Sequence, residues 1–296
     1  MKLGVINLLK PPGMSSAQAV AFIKRLSGLK AGHVGTLDPE AAGVLPILLG
    51  RATRIADYLI AGPKVYLAEI AFGAATDTQD AQGHVISRGE SHPDKRALLS
   101  VLPRFTGSIS QLPPQFSALK LGGTPAYKLA RSGRKVDLTP RETEVDSITL
   151  LQEMPEHGFL MRIVCGKGTY IRTLCHDIGQ ALGCPAHMRL LIREESSYLS
   201  IHDACTVEEL REVGRENMPR YLLSVEKALD FLPGFQVPVT LLHLLAGGVC
   251  IAVNDRRLGD VRPPAGPFRM YAGNAFLGIF EALEGSFRAK CMLYQP

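Results

Sequence analysis

Between residues 32 and 50 the sequence reads GHVGTLDPEAAGVLPILLG, with glycines at 32, 35, 43 and 50 and prolines at 39 and 46. That spacing breaks both the helical and the strand period, so the stretch is expected to be a shaped loop of the kind that holds a functional group on a rigid frame. Asp38 precedes Pro39, which pushes its backbone toward extended or turn angles. By itself an Asp-Pro in a glycine-rich loop is a turn former. It becomes chemistry when a cation holds the carboxylate ionised and a low-dielectric cover strengthens the pair. Arg172, near a helix start after a glycine turn, is a suitable cation, although spacing alone does not bring the two together.

The flanking segments carry clearer periods. Residues 4–9 read as a strand, PPGMSS as a turn whose Ser15 or Ser16 caps a helix bearing Val20, Ile23 and Leu26, and 52–60 as a second helix. Tyr66, Ala68, Ile70 and Phe72 alternate with Leu67, Glu69 and Ala71 as in a half-buried strand. DTQDAQG, from Asp77, reads as a turn; its acids do not match the EF-hand spacing, and no distant glutamate completes a calcium loop. Residues 158–165 alternate as a strand, Gly166 and Gly168 make a tight exit, and Ile171, Leu174, Ile178 and Leu182 mark a helix ended by Gly183. A capping box, Thr206 to Glu209, opens a later helix. LPGFQVP at 232–238 reads as a linker into a small C-terminal unit with strand-like runs such as 275–280.

A chain of 296 residues with 46% hydrophobic residues can bury a full core, as one large domain or a large one with a small partner. The formal charge of +5 suits a polyanionic partner without requiring one. Its distribution says more: between Ser117 and Arg141, Lys120, Lys128, Arg131, Arg134, Lys135 and Arg141 face a single acid, Asp137, with Tyr127 among them and glycines at 122, 123 and 133. The patch is either a solvated helix face or a phosphate-contacting element that orders on binding. Six cysteines with no CxxC pair suggest reduced thiols in a cytoplasm and argue against structural zinc. The apolar run at 3–9 lacks the length and cleavage site of a secretory signal. Residues 237–253, interrupted by Pro238, His243 and Gly247-Gly248, fit a short buried helix and a strand better than a membrane span. A metal-dependent nuclease or base deaminase needs clustered carboxylates or an H-x-E with P-C-x-x-C, and the sequence has neither.

Four segments, GHVGTLDPEAAGVLPILLG, KVYLAEIAFGAATDTQDAQG, QLPPQFSALKLGGTPAYKLARSGR and GKGTYIRTLCHDIGQALG, together resemble the TruB family of tRNA pseudouridine synthases, in the same order from about Val5 to Val213. GNAFLGIFEALEGSFRAKCML near the C-terminus is similar to a divergent PUA domain, an RNA-binding module common in that family. The resemblance implies an α+β pseudouridine synthase fold, a mixed, mainly antiparallel sheet flanked by helices and loops, with a small β-rich PUA-like domain. It divides the chain into a catalytic domain, 1–232, with an RNA-binding thumb at about 111–141, and a PUA-like domain, 239–296.

It further implies isomerisation of uridine 55 in the T-loop of tRNA: the N1–C1′ bond is cut and C5 is joined to C1′, without cofactor or metal. Asp38 of GTLDP is then the nucleophile, attacking C1′ or initiating elimination there; both routes stay open. His33 fills the space left by the flipped base, Tyr66 stacks on the uracil and is placed to take the C5 proton, and Tyr170 and Leu191 line the pocket. Arg172 pairs with Asp38. On pattern alone His33 is a loop histidine bonded to backbone, and Tyr66 a core tyrosine. Met188 and Ile192 stand where the family has leucine and a first arginine, which takes the arginine from one backbone-phosphate contact and leaves the pocket, and Ala42 stands where it has threonine, a small change beside the active loop. Lys128, Arg131 and Arg134 are expected on the RNA backbone. The T-arm of tRNA is the expected partner, for a cytoplasmic monomer needing no protein partner and no membrane. The competing reading is a non-catalytic tRNA-binding or tRNA-folding protein on the same scaffold.

Overall fold

The computed structural model describes residues 3–90, 92–117, 119–126, 129, 132, 137–259 and 261–294. The main sheet is built from β1 (Leu3–Lys10), β2 (Ala31–His33), β3 (Ala42–Gly50), β4 (Lys64–Phe72), β5 (Gly107–Gln111), β6 (Arg141–Met154), β7 (Gly158–Cys165), β8 (Ala186–Ser196) and β9 (Leu222–Leu223). Its order is β9-β1-β3-β8-β4-β7-β6-β5, with β2 paired to β3. The named pairs are antiparallel except β3 with β8, which run parallel and touch only at Ala42–Ile192 and Gly43–Arg193. This is the expected mixed, mainly antiparallel α+β architecture.

Helix α1 (Ser16–Ser27) starts where local chemistry says it should. Ser15 accepts from the Gln18 amide at 3.2 Å while Gln18 Oε1 accepts from the Ser15 amide at 2.8 Å, a reciprocal capping box. Gly28 ends it in the left-handed region, φ 72°. Helices α2 (Ala56–Ala61), α3 (Ile171–Ala181) and α4 (Val207–Asn217) follow, the last opened by the expected Thr206–Glu209 box. Residues from α1 and α3, including Ile23, Leu174 and Ile178, bury one face of the sheet in a cluster with Ile6, Leu45, Ile47, Tyr66, Ala68 and Ile70.

Three expectations need correction. Only residues 34–41 of the expected loop lie outside strands: 31–33 and 42–50 belong to the sheet. β3 shows no alternation because both its faces are buried, and an apolar run without a period is how such a strand looks. Pro46 is tolerated at its centre because its carbonyl, accepting from the Val34 amide at 2.9 Å, points away from β1. A strand residue's N and O face the same neighbour, so the missing N–H falls where the chain has already left the sheet. β4, expected half-buried, is buried on one face and, except for the partly covered Leu67, on the other too, where Glu69 is paired with Arg189 at 3.0 Å.

The third correction concerns 232–238. Within it lies β10 (Gly234–Val237), which pairs parallel with β12 (Pro267–Ala272). With β11 (Ile251–Ala252), β13 (Ala275–Leu283) and β14 (Ser286–Met292) they form a second sheet, order β10-β12-β13-β14-β11. Between β10 and β11 the apolar stretch forms a short helix, Leu242–Ala246. Among the described residues no helix is long and apolar enough to cross a membrane. The second sheet is docked on the first: Ile279, Cys291 and Leu293 pack with Val5, Leu48, Ile55 and Leu59, and Arg54 Nη1 donates to the Met292 carbonyl at 3.0 Å. Within the basic segment, Lys120–Leu121 pairs with Thr124–Pro125. Lys128, Arg131 and Arg134 lie outside the described residues.

Candidate active site

The loop 34–41 is pinned from below at several points. Ser16, at the start of α1, accepts from the Leu37 amide and donates to its carbonyl, both at 2.9 Å. Lys10, ending β1 and fully buried, donates its ammonium protons to the carbonyls of Pro11, Met14 and Pro39 at 2.8, 2.6 and 2.9 Å. Burial brings that ammonium down to about 8 against the pull of Glu40 and Asp38. A turn closes between the Asp38 carbonyl and the Ala41 amide, 3.2 Å. The loop therefore presents Asp38 in one place.

Arg172 comes to meet it from the first residues of α3. Gln111 of β5 clasps the main chain just before that helix, accepting from the Tyr170 amide at 3.0 Å and donating to its carbonyl at 3.2 Å. The guanidinium approaches Asp38 edge-on, Nε to Oδ2 at 2.9 Å and Nη2 to Oδ1 at 3.0 Å. It also donates to the Thr78 and Phe116 carbonyls at 3.3 and 3.2 Å and lies 3.7 Å from Asp80 Oδ2. The Arg172 side chain is 6% exposed and that of Asp38 36%, so the pair is fixed on the arginine side and open on the carboxylate side. Burial raises the Asp38 carboxyl above its usual range, Asp80 adds to this, and Arg172 and Lys10 oppose it. Arg172 is thus the main counterweight that favours the anion in a poorly solvated place.

Below them, β4 and β8 place Tyr66 opposite Arg193 and Ala68 opposite Leu191, so the four side chains share one face. Tyr66 is buried within the core cluster, where burial raises its phenol and Arg193 works the other way. Leu191 is buried beside it. His33 ends β2 at the mouth of the loop; burial and the nearby Arg193 lower its imidazole, favouring the neutral ring, and its Nδ1 is buried without a partner. Tyr170, half-buried, stands two residues before Arg172. The structure thus joins Asp38 to Arg172, and sets Tyr66 and Leu191 on a common face.

Several residues of the site were not anticipated. Asp80 belongs to the turn weighed only for calcium; its carboxylate accepts from Thr78 Oγ1 at 2.6 Å and the Gln82 amide at 3.0 Å, which fixes the turn over Arg172. Gln79, at φ 63°, accepts from Thr173 Oγ1 at 3.0 Å and ties the same turn to α3. Arg193 is fully buried. An arginine closing the apolar run 190–192, and a lysine ending β1 before two prolines, were the available signals. Among the described residues no group of three or more His, Cys, Asp or Glu gathers to hold a metal. What the arrangement offers is a single oriented carboxylate beside an aromatic and aliphatic floor, suited to attack on a flat, flipped base and its sugar carbon.

Comparison with known proteins agrees with this geometry. Residues 23–171 match the TruB family pseudouridylate synthase N-terminal domain, and residues 172–230 the tRNA pseudouridylate synthase B C-terminal domain. The tRNA pseudouridine synthase B of Symbiobacterium thermophilum is 48% identical over 211 residues, 70% of this chain and 71% of that one. That of Pelotomaculum thermopropionicum is 40% identical over 301 aligned residues, covering 99% and 95% of the two chains. A solved H/ACA RNP bound to a substrate RNA containing 2′-deoxyuridine holds a chain similar to this one, with TM-score 0.74 at 25% identity over 99% of this chain and 85% of that one. With the fold, the docked β-rich unit and the sequence matches in agreement, this chain belongs to the TruB family of pseudouridylate synthases.

Proposed function

We propose that the protein isomerises uridine 55 in the T-loop of tRNA to pseudouridine, with Asp38 as its catalytic carboxylate. The observation that carries this is the Asp38–Arg172 pair, buried on its cationic side and open on its anionic side. The reaction breaks C1′–N1, forms C1′–C5 and moves a proton from C5 to solvent while N1 gains one. Nothing is oxidised or reduced, so one oriented carboxylate and a proton acceptor suffice, and no cofactor enters. The target base leaves its stack at a cost on the order of a few kcal/mol, which stacking on Tyr66 offsets by roughly 1–3 kcal/mol. Leu191 and Tyr170 line the base pocket, and His33, held neutral at the loop mouth, occupies the place the base vacates.

In this reading residues 1–232 are the catalytic domain, 239–296 together with β10 a divergent PUA-like domain, and the segment at about 111–141 a thumb whose Lys128, Arg131 and Arg134 contact the T-arm backbone. The protein acts in the cytoplasm as a monomer, without a protein partner. The test is tritium release from a C5-labelled tRNA transcript, with the modified position mapped. Release confined to position 55 supports the reading. Tight tRNA binding without release supports instead a non-catalytic tRNA-folding protein on the same scaffold.

A further inference from the structure

We propose that Arg193 is a positioning residue of this reaction, a buried cation that clamps both ends of the loop carrying Asp38 and faces the Tyr66 phenol. The inference rests on the function proposed above.

Arg193 is 1% exposed, yet among the described residues it makes no ion pair. Its guanidinium donates to three main-chain carbonyls: Nε to Val44 at 2.7 Å, Nη2 to Gly35 at 3.0 Å and Nη1 to Thr36 at 3.5 Å. Gly35 and Thr36 lie where the Asp38 loop leaves β2, and Val44 lies where it has entered β3. A planar fork spans these acceptors from one anchor, which the compact ammonium of lysine does not. The loop is in turn shaped around this residue. A Cβ on Gly43 would sit 2.2 Å from the Arg193 carbonyl oxygen, and one on Gly35 3.4 Å from its Nη1.

A buried charge without a counterion is costly, and replacement by an apolar side chain is generally tolerated when packing alone is at stake. Here the charge lies among groups that feel it: Tyr66 directly across the β4–β8 ladder, His33 on β2, Lys10 on β1 and Lys64 on β4. The other charges and thiols facing the Tyr66 phenol, Asp38 from the loop and Cys165 from β7, both favour its neutral form, as does burial. Arg193 is the group that opposes them, within hydrogen-bonding reach of the phenol. It therefore favours the phenolate that accepts the C5 proton as the C5–H electron pair restores the C5–C6 double bond.

The test compares Arg193→Lys, which keeps the charge and loses the fork, with Arg193→Gln, which keeps a donor and loses the charge. Single-turnover pseudouridine formation is followed on a tRNA transcript between pH 6 and 11, since burial holds the Tyr66 phenol above its ordinary value of 10. Both variants are expected to lose at least tenfold in rate with tRNA affinity unchanged. Only the glutamine variant is expected to have its base-dependent limb displaced to higher pH, and that displacement should vanish in a Tyr66→Phe background. Should the glutamine variant fail to fold, a folded lysine variant decides: a slowed reaction with its pH limb in place supports the proposal, and a wild-type rate overturns it. Wild-type rates and limbs in both variants, or a loss confined to tRNA affinity, also overturn it. A wild-type protein that releases no tritium removes the reading of function first, which separates the two failures.

Discussion

Arg172 holds both oxygens of Asp38 from one side, at 2.9 and 3.0 Å, although 134 positions separate the two in the chain. The remaining lone pairs face the opening. An anion held in this way is oriented before substrate arrives.

Replacing Asp38 with Asn should abolish tritium release while leaving tRNA binding within a few fold. It should also raise stability at neutral pH. Burial holds the folded-state carboxyl above its ordinary value of about 3.8, so the unfolded chain ionises first as pH rises, and wild type loses stability from there up to the raised folded value. The amide is spared that loss. Urea melts should show the variant as the more stable protein at pH 7 and the gap closing below pH 4; a variant less stable than wild type at pH 7 contradicts the account.

Arg172→Met removes the main group favouring the Asp38 anion. The rate at pH 7 should fall by about two to three orders of magnitude, the scale of removing an electrostatic contact at a reacting group. The acid limb of the pH–rate profile should move to higher pH. Asp80→Asn, which removes a group that raises Asp38, should move that limb to lower pH. Limbs moving together in both variants argue that neither acts through the carboxylate.

Gly43→Ala should cost about 2–4 kcal/mol of stability, from a left-handed backbone and a backbone clash with Arg193. The glycine has φ 114°, and its added Cβ would lie 2.2 Å from the Arg193 carbonyl oxygen. Thermal melts report the loss. A melt unchanged from wild type shows that the β3–β8 junction can relax.

Alanine at Lys128, Arg131 and Arg134 should weaken tRNA binding and reduce the slope of log affinity against log salt by about 2–3, one unit or slightly less per lost phosphate contact. The measurement is binding across a salt series. An unchanged slope assigns these residues to solvent.

What was readable in the sequence depended on how local the physics was. The start of α1 and the opening of α4 follow from side chains three residues apart, and both formed as expected. β3 was not readable, because alternation marks a strand only when one face is wet, and this strand is buried on both. The Asp38 loop was legible as a loop, drawn over 32–50 where only 34–41 lies outside strands, but not its neighbours: a contact across 134 positions leaves no period. Asp80 was noticed as a candidate calcium ligand and missed as a neighbour of Arg172, since a turn's sequence does not say what it folds over. Arg193 fell inside a stretch judged by family pattern, where its burial and its carbonyl partners exist only in three dimensions.

The docking of the second sheet on the first sets the thermodynamic unit. Ile279, Cys291 and Leu293 share their cluster with Val5 and Val34 and with Leu48 of β3. Detaching the C-terminal sheet would therefore wet the back of the strand that leads out of the Asp38 loop. Unfolding should then be cooperative across both sheets, one transition instead of two, and a chain ending near residue 230 should lose rigidity in its catalytic loop before losing any residue that touches RNA there. The C-terminal unit is, in this sense, part of the catalytic loop's foundation.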